Sequence, residues 1–408
     1  MTSDDDWDSL TFDQLAEKAA VAAGGLRALG VGPGDRVVLM MRNIPEFHYL
    51  DLAVLFLGAT PISIYNSSAP EQVEYLAGHC AAKLAIVENE AFLDNFLKVR
   101  DELPALENIV VLVAPSILPD GVHGHEAITE ADPIDLAEAS KIGSPDDLAT
   151  IIYTSGTTGN PKGVMISNYN VLWTFRSLLE SYGWSLDYLA GKRVVSYLPM
   201  AHIAERVVSH YSLVLAGLEV TTCPETSLLT AYLGQTHPNI AFGVPRVWEK
   251  VNAGITALLA GDPEGAEKFN AAVEEATPLR QKIDWDEATA EEVERYNALD
   301  AENFALVRAL LGLDEVELAV TGAAPIRGEL ISWFRTIGIP LAEVYGMSEN
   351  TGPMTFERVR VKAGSVGRAL PGVEVKIFDD GEVCCRGGLV CQGYLNDPEK
   401  TAETIDDD

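Results

Sequence analysis

Between Thr154 and Lys162 the chain reads Thr-Ser-Gly-Thr-Thr-Gly-Asn-Pro-Lys. Gly156 and Gly159 let backbone amides approach a ligand closely. The hydroxyls of Thr154, Ser155, Thr157 and Thr158, with free N–H groups, can wrap phosphate oxygens. Lys162 adds a compact positive charge with the reach to meet a phosphate. A Walker loop is excluded. It requires Gly-x-x-x-x-Gly-Lys-Ser/Thr running straight into a helix, whereas here the lysine follows Pro161 and precedes Gly163. A second cluster, Glu343-Val-Tyr-Gly-Met-Ser-Glu349, offers other chemistry. Tyr345 supplies a stacking face, Ser348 an adaptable donor, and Glu349 a carboxylate suited to a hard cation shared with phosphates. Between them, Thr321-Gly-Ala-Ala-Pro325 is built of small residues that leave room for a flat ring.

These segments need a rigid frame, and the hydrophobic pattern supplies one. Residues 10–29 carry an amphipathic helix capped by Thr11 or Asp13. Strands follow at 36–41, 60–64, 84–87 and 109–113, separated by helices at 43–57 and 71–82. Alternation of this kind predicts a parallel, doubly wound sheet. Residues 114–147 read as a polar loop containing His123 and His125, two solvated histidines. Ile151 to Tyr153 is a strand entering the loop, and Val164 to Ile166 opens a further strand or helix. A second alternation places strands at 193–198, 218–222, 317–320 and 340–345, with helices at 207–215 and 329–336. Residues 251–311 read as a charged helical block, an insertion or a solvated layer, broken at Pro263 and Pro278, and short β segments follow Gly364.

Composition narrows the classes. The 408 residues are 47% hydrophobic, enough for several packing units around a large core. The net charge of −32 disfavours nucleic acid as a partner, because that needs a basic face. Anionic substrates would have to be held by local devices such as Lys162, backbone amides, helix N-termini and a divalent cation. The five cysteines lack paired spacing, which suits a reducing cytosol and argues for strand residues over a metal site. No signal peptide and no membrane-length apolar run is present in the sequence. The expected location is cytoplasmic, with peripheral membrane association and homodimerisation left open.

The loop Tyr153-Thr-Ser-Gly-Thr-Thr-Gly-Asn-Pro-Lys-Gly163 closely resembles the signature loop of the adenylate-forming superfamily, which includes acyl-CoA synthetases, luciferases and peptide-synthetase adenylation domains. Four further segments agree in order. They are Tyr197-Leu-Pro-Met-Ala-His-Ile-Ala-Glu-Arg206, Thr321 to Pro325, Glu343 to Glu349, and Gly381-Glu-Val-Cys-Cys-Arg-Gly387 with Gly393-Tyr394. The Ala-His-x-x-Glu-Arg and Tyr-Gly-Met-Ser-Glu forms look like the long-chain fatty acyl-CoA synthetase branch, as does Val244-Pro-Arg-Val-Trp-Glu-Lys250.

The resemblance implies a layered αβαβα fold of two doubly wound sheets over residues 1–345 and a small β-barrel-like unit over 346–408. It implies ATP, Mg²⁺ and CoA as the small molecules used, with a fatty acid as the other substrate. Gly322, Ala323 and Ala324 would line the adenine, with Glu343, Val344, Gly346 and Met347 beside it and Tyr345 packed on it. Ser348 would meet the α-phosphate and Glu349 would hold Mg²⁺. His202, Val244, Pro245 and Arg246 would border the acyl group; Arg246 is equally readable as an anion partner or a helix cap. The Gly381 segment would be architectural. Family members continue past the position of Asp408 into a ribose-binding aspartate, a hinge and a lid domain with a catalytic lysine. The expectation is therefore a large N-terminal domain, weak or inactive by itself. Two other readings accompany the fatty acid–CoA ligase: an adenylation unit serving a carrier protein or reductase, and a non-catalytic nucleotide-binding protein.

Overall fold

The computed structural model describes residues 7–154 and 159–406. They divide into two compact units. Residues up to 171, residues 198–202 and those from 391 onward form the first; residues 172–197 and 203–390 form the second.

In the first unit, β1 (Arg36–Met40), β2 (Thr60–Ser63), β3 (Leu84–Val87), β4 (Asn108–Val111) and β5 (Val122–Gly124) make a parallel sheet in the order β2-β1-β3-β4-β5. Successive side chains point to opposite faces. Val37, Leu39, Leu84 and Ile86 enter one apolar cluster, while Val38, Met40, Ala85 and Val87 enter another. A strand apolar at nearly every position is what a sheet covered on both faces requires. Helix Phe12–Ala28 starts at Thr11, whose hydroxyl and Gln14 form a reciprocal capping box. Its glycines permit backbone contact. A Cβ on Gly25 would lie 2.3 Å from the Ala127 carbonyl oxygen.

The stretch expected to be a polar loop contributes the edge strand β5, where His123 Nε2 lies 2.9 Å from Asn108 Oδ1. Three residues are too few to show a period. Then β6 (Leu148–Thr154) and β7 (Lys162–Ser167) pair antiparallel, with Thr154 opposite Lys162.

In the second unit, β8 (Arg193–Ser196), β9 (Glu219–Thr222), β10 (Ile240–Gly243), β11 (Leu318–Thr321) and β12 (Leu341–Glu343) form another parallel sheet, in the order β9-β8-β10-β11-β12. Both sheets therefore wind in the same way, reversing direction beside their first strand. The helices Pro245–Leu259, Pro263–Asp284, Ala290–Leu299 and Ala305–Leu310 are not a solvated layer. Their Trp248, Phe269, Tyr296 and Val307 share an apolar cluster with Ile331, Phe334 and Leu341. Pro278 does not break the chain and stands inside helix Pro263–Asp284. It is exposed, as is Glu274 four residues earlier, so the carbonyl that Pro278 leaves without an amide faces water.

The strand expected over 340–345 also differs. Parallel pairing stops at Glu343, and Tyr345 begins β13 (Tyr345–Met347), which pairs antiparallel with β14 (Gly352–Phe356). β15 (Arg368–Ala369) joins β14, while β16 (Glu374–Ile377) and β17 (Val383–Arg386) form a separate hairpin. The expected barrel-like unit is thus a pair of small antiparallel sheets among the described residues. The last strand, β18 (Gly393–Tyr394), pairs with β7 in the first unit.

Among the described residues no helix is long and apolar enough to cross a membrane. None of the five cysteines is in a disulfide.

Candidate active site

Ligands of open parallel sheets bind beyond the carboxyl ends of the strands, next to the point where the winding reverses. In the second unit that point lies between β8 and β10. Val244 leaves β10 as the N-cap of helix Pro245–Leu259, with Pro245 and Arg246 in its first turn. The cap makes no side-chain hydrogen bond. Arg246 is exposed, and its charge opposes the positive end of the helix dipole. It is no C-terminal cap. Tyr197, leaving β8, donates to the Phe242 carbonyl (2.8 Å). Behind it is a crevice of about 20 Å³ lined by Val195, Leu229, Phe242, Val247 and Trp248. That volume suits one water and no acyl chain.

The next two strands end in register. Gly243, Thr321 and Glu343 are opposite one another across β10, β11 and β12. Beyond them, the Val344 amide donates to the Thr321 carbonyl (2.8 Å). Gly322 has no room for a side chain, since a Cβ there would stand 2.7 Å from Val344 Cγ1. Ala323 has φ +66°, a left-handed backbone that costs about 1–2 kcal/mol for a residue with a Cβ. Ala323 and Ala324 are exposed, as is Tyr345. The row thus presents a small-residue ledge and an aromatic ring, which is what a flat heterocycle needs. Glu343 is buried, and that burial raises its carboxyl above the ordinary range, against a lowering by the Ile326 amide.

After Tyr345, Gly346 and Met347 the chain makes a one-turn helix, Ser348–Asn350, and Thr351 reverses it in the left-handed region at φ +56°. Ser348 and Glu349 are half-buried on that turn. Gly346 is obligatory. A Cβ there would fall 1.6 Å from the Gly352 carbonyl oxygen.

The first unit carries the glycine-rich loop. Ser155, Gly156, Thr157 and Thr158 lie outside the described residues. Their flanks are fixed: Thr154 ends β6, Gly159 has φ +101°, and Tyr75 donates to the Pro161 carbonyl (2.9 Å). Lys162 Nζ stands 5.2 Å from the centre of the Tyr394 ring. The loop therefore joins strand to strand. His202 also belongs to this unit, with its amide bonded to the Pro199 carbonyl (2.9 Å). Burial holds its imidazole below the usual histidine value. Glu205 and Arg206, buried, lead into a π turn, Arg206–Tyr211, a distortion that often marks functional sites.

No group of three or more His, Cys, Asp or Glu suited to a metal occurs among the described residues. A single carboxylate, Glu349, beside a hydroxyl fits Mg²⁺, which keeps several waters and borrows the rest of its ligands from phosphates. Three contributors escaped the sequence. The ring of Tyr394 beside Lys162 had only the Gly-Tyr pair to signal it, Asn350 only its place after the Met-Ser-Glu run, and Tyr75 had no signal.

Residues 1–395 match the sequence profile described as AMP-binding enzyme. The chain belongs to the AMP-binding enzyme family. Its relatives include a long-chain-fatty-acid–CoA ligase, ACSBG2, of Xenopus laevis, 30% identical over 418 residues that cover 99% of this chain and 56% of the relative. FadD15 of Mycobacterium bovis, also called a long-chain-fatty-acid–CoA ligase, is 30% identical over 98% of this chain and 66% of its own length. The chain thus spans little more than half of the ACSBG2 it matches. Among solved structures, the N-terminal domain of FACL13 from Mycobacterium tuberculosis superposes with a TM-score of 0.67 at 22% identity, covering 97% of this chain and 87% of that one. The anthranilate CoA ligase AuaEII, solved with anthranoyl-AMP, gives 0.70 at 19% identity, covering 98% and 69%. At those identities the likeness is one of fold: that of the adenylate-forming N-terminal domain.

Proposed function

We propose that this chain supplies the nucleotide- and acyl-binding part of an enzyme that activates a long-chain fatty carboxylate with ATP and passes it to CoA, the chain by itself being weakly active or inactive. The observation that carries the reading is the row at the ends of β10, β11 and β12. The carboxyl ends of these strands lead into Val244–Arg246, the Gly322–Ala324 ledge and, through Val344, the Tyr345–Glu349 segment, which carry the motifs that resemble the family's. The names of the relatives support the acyl class.

A carboxylate is a poor acyl donor because its leaving group would be oxide. In the proposed reaction a carboxylate oxygen attacks the α-phosphorus of ATP, the bond to the β-phosphate oxygen breaks, and pyrophosphate leaves. The thiol of CoA then adds to the acyl carbon, loses its proton, and AMP departs. Two anions must meet in the first step, so positioning and charge neutralisation dominate. Tyr345 and the ledge orient the adenine. Ser348 donates to a non-bridging oxygen of the α-phosphate. Lys162 and its loop, in the first unit, carry the charge and hydroxyls suited to phosphate oxygens. Glu349 would hold Mg²⁺, whose contribution is to neutralise phosphate charge. His202, whose burial favours the neutral imidazole, offers a polar group that adds no charge. An acyl chain gains about 0.8 kcal/mol per buried methylene. The crevice beside Tyr197 has to open to accept one.

The test is fatty-acid-dependent exchange of labelled pyrophosphate into ATP. Exchange that requires the fatty acid supports the reading. Nucleotide binding with no exchange on the intact polypeptide contradicts it.

A further inference from the structure

The turn bearing Ser348 and Glu349 is held from beneath by side chains the proposed mechanism does not use. Asn350 is 1% exposed and its two polar atoms face different partners. The Met347 amide donates to its Oδ1 (2.8 Å), closing the turn across three residues. Its Nδ2 donates to Cys385 Sγ (3.9 Å), on β17. Burial raises the Cys385 thiol above its ordinary value, so the sulfur remains an uncharged, soft acceptor. The neighbouring Thr351, fully buried and β-branched at φ +56°, donates from Oγ1 to the Leu389 carbonyl (2.7 Å). A β-branched residue in the left-handed region is a real departure from the preferred backbone, and its surroundings must hold it there.

The chemistry of the anchor is specific. An amide N–H can only donate, so the atom facing Met347 must be an acceptor; the sulfur takes a donor. Asparagine supplies both at the right length from a buried position. Aspartate supplies the acceptor alone and adds a buried charge, and alanine supplies neither.

We propose that Asn350 is a positioning residue that sets the Ser348–Glu349 turn, and that Cys385 on the β16–β17 hairpin acts through it. The proposal rests on the reading that Ser348 and Glu349 handle phosphate and its cation. Neither Asn350 nor Cys385 touches substrate in this account.

The experiment is a double-mutant cycle in the intact chain, Asn350→Ala, Cys385→Ala and both together, with Asn350→Asp as the conservative variant. Two readouts are taken: kinetics per folded molecule, including the Mg²⁺ activation midpoint, and amide hydrogen exchange over residues 345–352. Asn350→Ala is expected to lower kcat about tenfold or more and to raise the Mg²⁺ midpoint. It should expose the Met347 amide to exchange while the second unit's sheet stays protected. Cys385→Ala has a smaller effect of the same kind, and the double variant is no worse than Asn350→Ala alone, because the pair acts as one unit. Asn350→Asp retains Met347 protection. Folded Asn350→Ala protein with native kcat, midpoint and exchange overturns the proposal, as do Cys385 effects that multiply with those of Asn350. If the full-length protein shows no fatty-acid-dependent exchange of pyrophosphate, the functional reading fails. The hydrogen-exchange pattern then still decides the positioning role: turn-confined loss of protection supports it and unchanged protection overturns it.

Discussion

The ammonium of Lys162 stands 5.2 Å from the centre of the Tyr394 ring, on two strands, β7 and β18, that pair directly. The lysine that closes the glycine-rich loop is therefore held by an aromatic face 232 positions later in the chain. Such a contact is worth roughly 0.5–1 kcal/mol at a partly exposed site. Tyr394→Leu should raise the KM for ATP about two- to fivefold, whereas Tyr394→Phe, which keeps the ring, should leave it near the native value. Steady-state kinetics of both variants checks this. Equal effects of the two would mean that the hydroxyl, not the ring, matters.

Glu349 is the one carboxylate on the Ser348–Asn350 turn. Glu349→Gln removes its charge and keeps its shape. Pyrophosphate release should fall on the order of 100-fold, with the Mg²⁺ activation midpoint moved to higher concentration. A variant with the native Mg²⁺ midpoint would place the cation elsewhere.

The depressed imidazole of His202 ties stability to pH. Burial disfavours its charged form, so between its folded and unfolded values the folded state binds fewer protons. The stability it contributes is present above the ordinary histidine value of about 6.5 and is lost as pH falls through it. His202→Gln should flatten the fall in melting temperature between roughly pH 7 and 5. An unchanged slope would remove His202 as its source.

Glu343 works in the opposite sense. Its carboxyl is raised by burial, so the folded state binds more protons, and the stability it contributes is lost as pH rises through the raised value. Glu343→Gln should raise the melting temperature at neutral pH, on the order of 1–2 °C, with the gain shrinking toward pH 4. A lower melting temperature at neutral pH would mean that the charge is needed for the fold.

The sequence carried the frame well where burial on both faces makes every strand residue apolar, as in Leu84–Val87. It failed where a strand is too short for a period, as at Val122–Gly124, and where a proline is tolerated because the carbonyl it frees is wet, as at Pro278. Tyr345 was placed on the strand that ends at Glu343, since nothing local marks the switch from parallel to antiparallel pairing. In the candidate site the motif residues were legible because their chemistry is local in sequence. The supports, Tyr394 under Lys162 and Cys385 against Asn350, were not, because they come from distant strands brought together by pairing.

The most direct test of the central claim follows both products at once. The intact polypeptide is incubated with ATP, Mg²⁺ and saturated fatty acids of graded length, with and without CoA, and pyrophosphate and acyl-CoA are quantified together. The account predicts pyrophosphate release that depends on a long acyl chain and a matching yield of thioester when CoA is present. Sustained pyrophosphate release with no acyl-CoA formed, or release indifferent to the fatty acid, would contradict it.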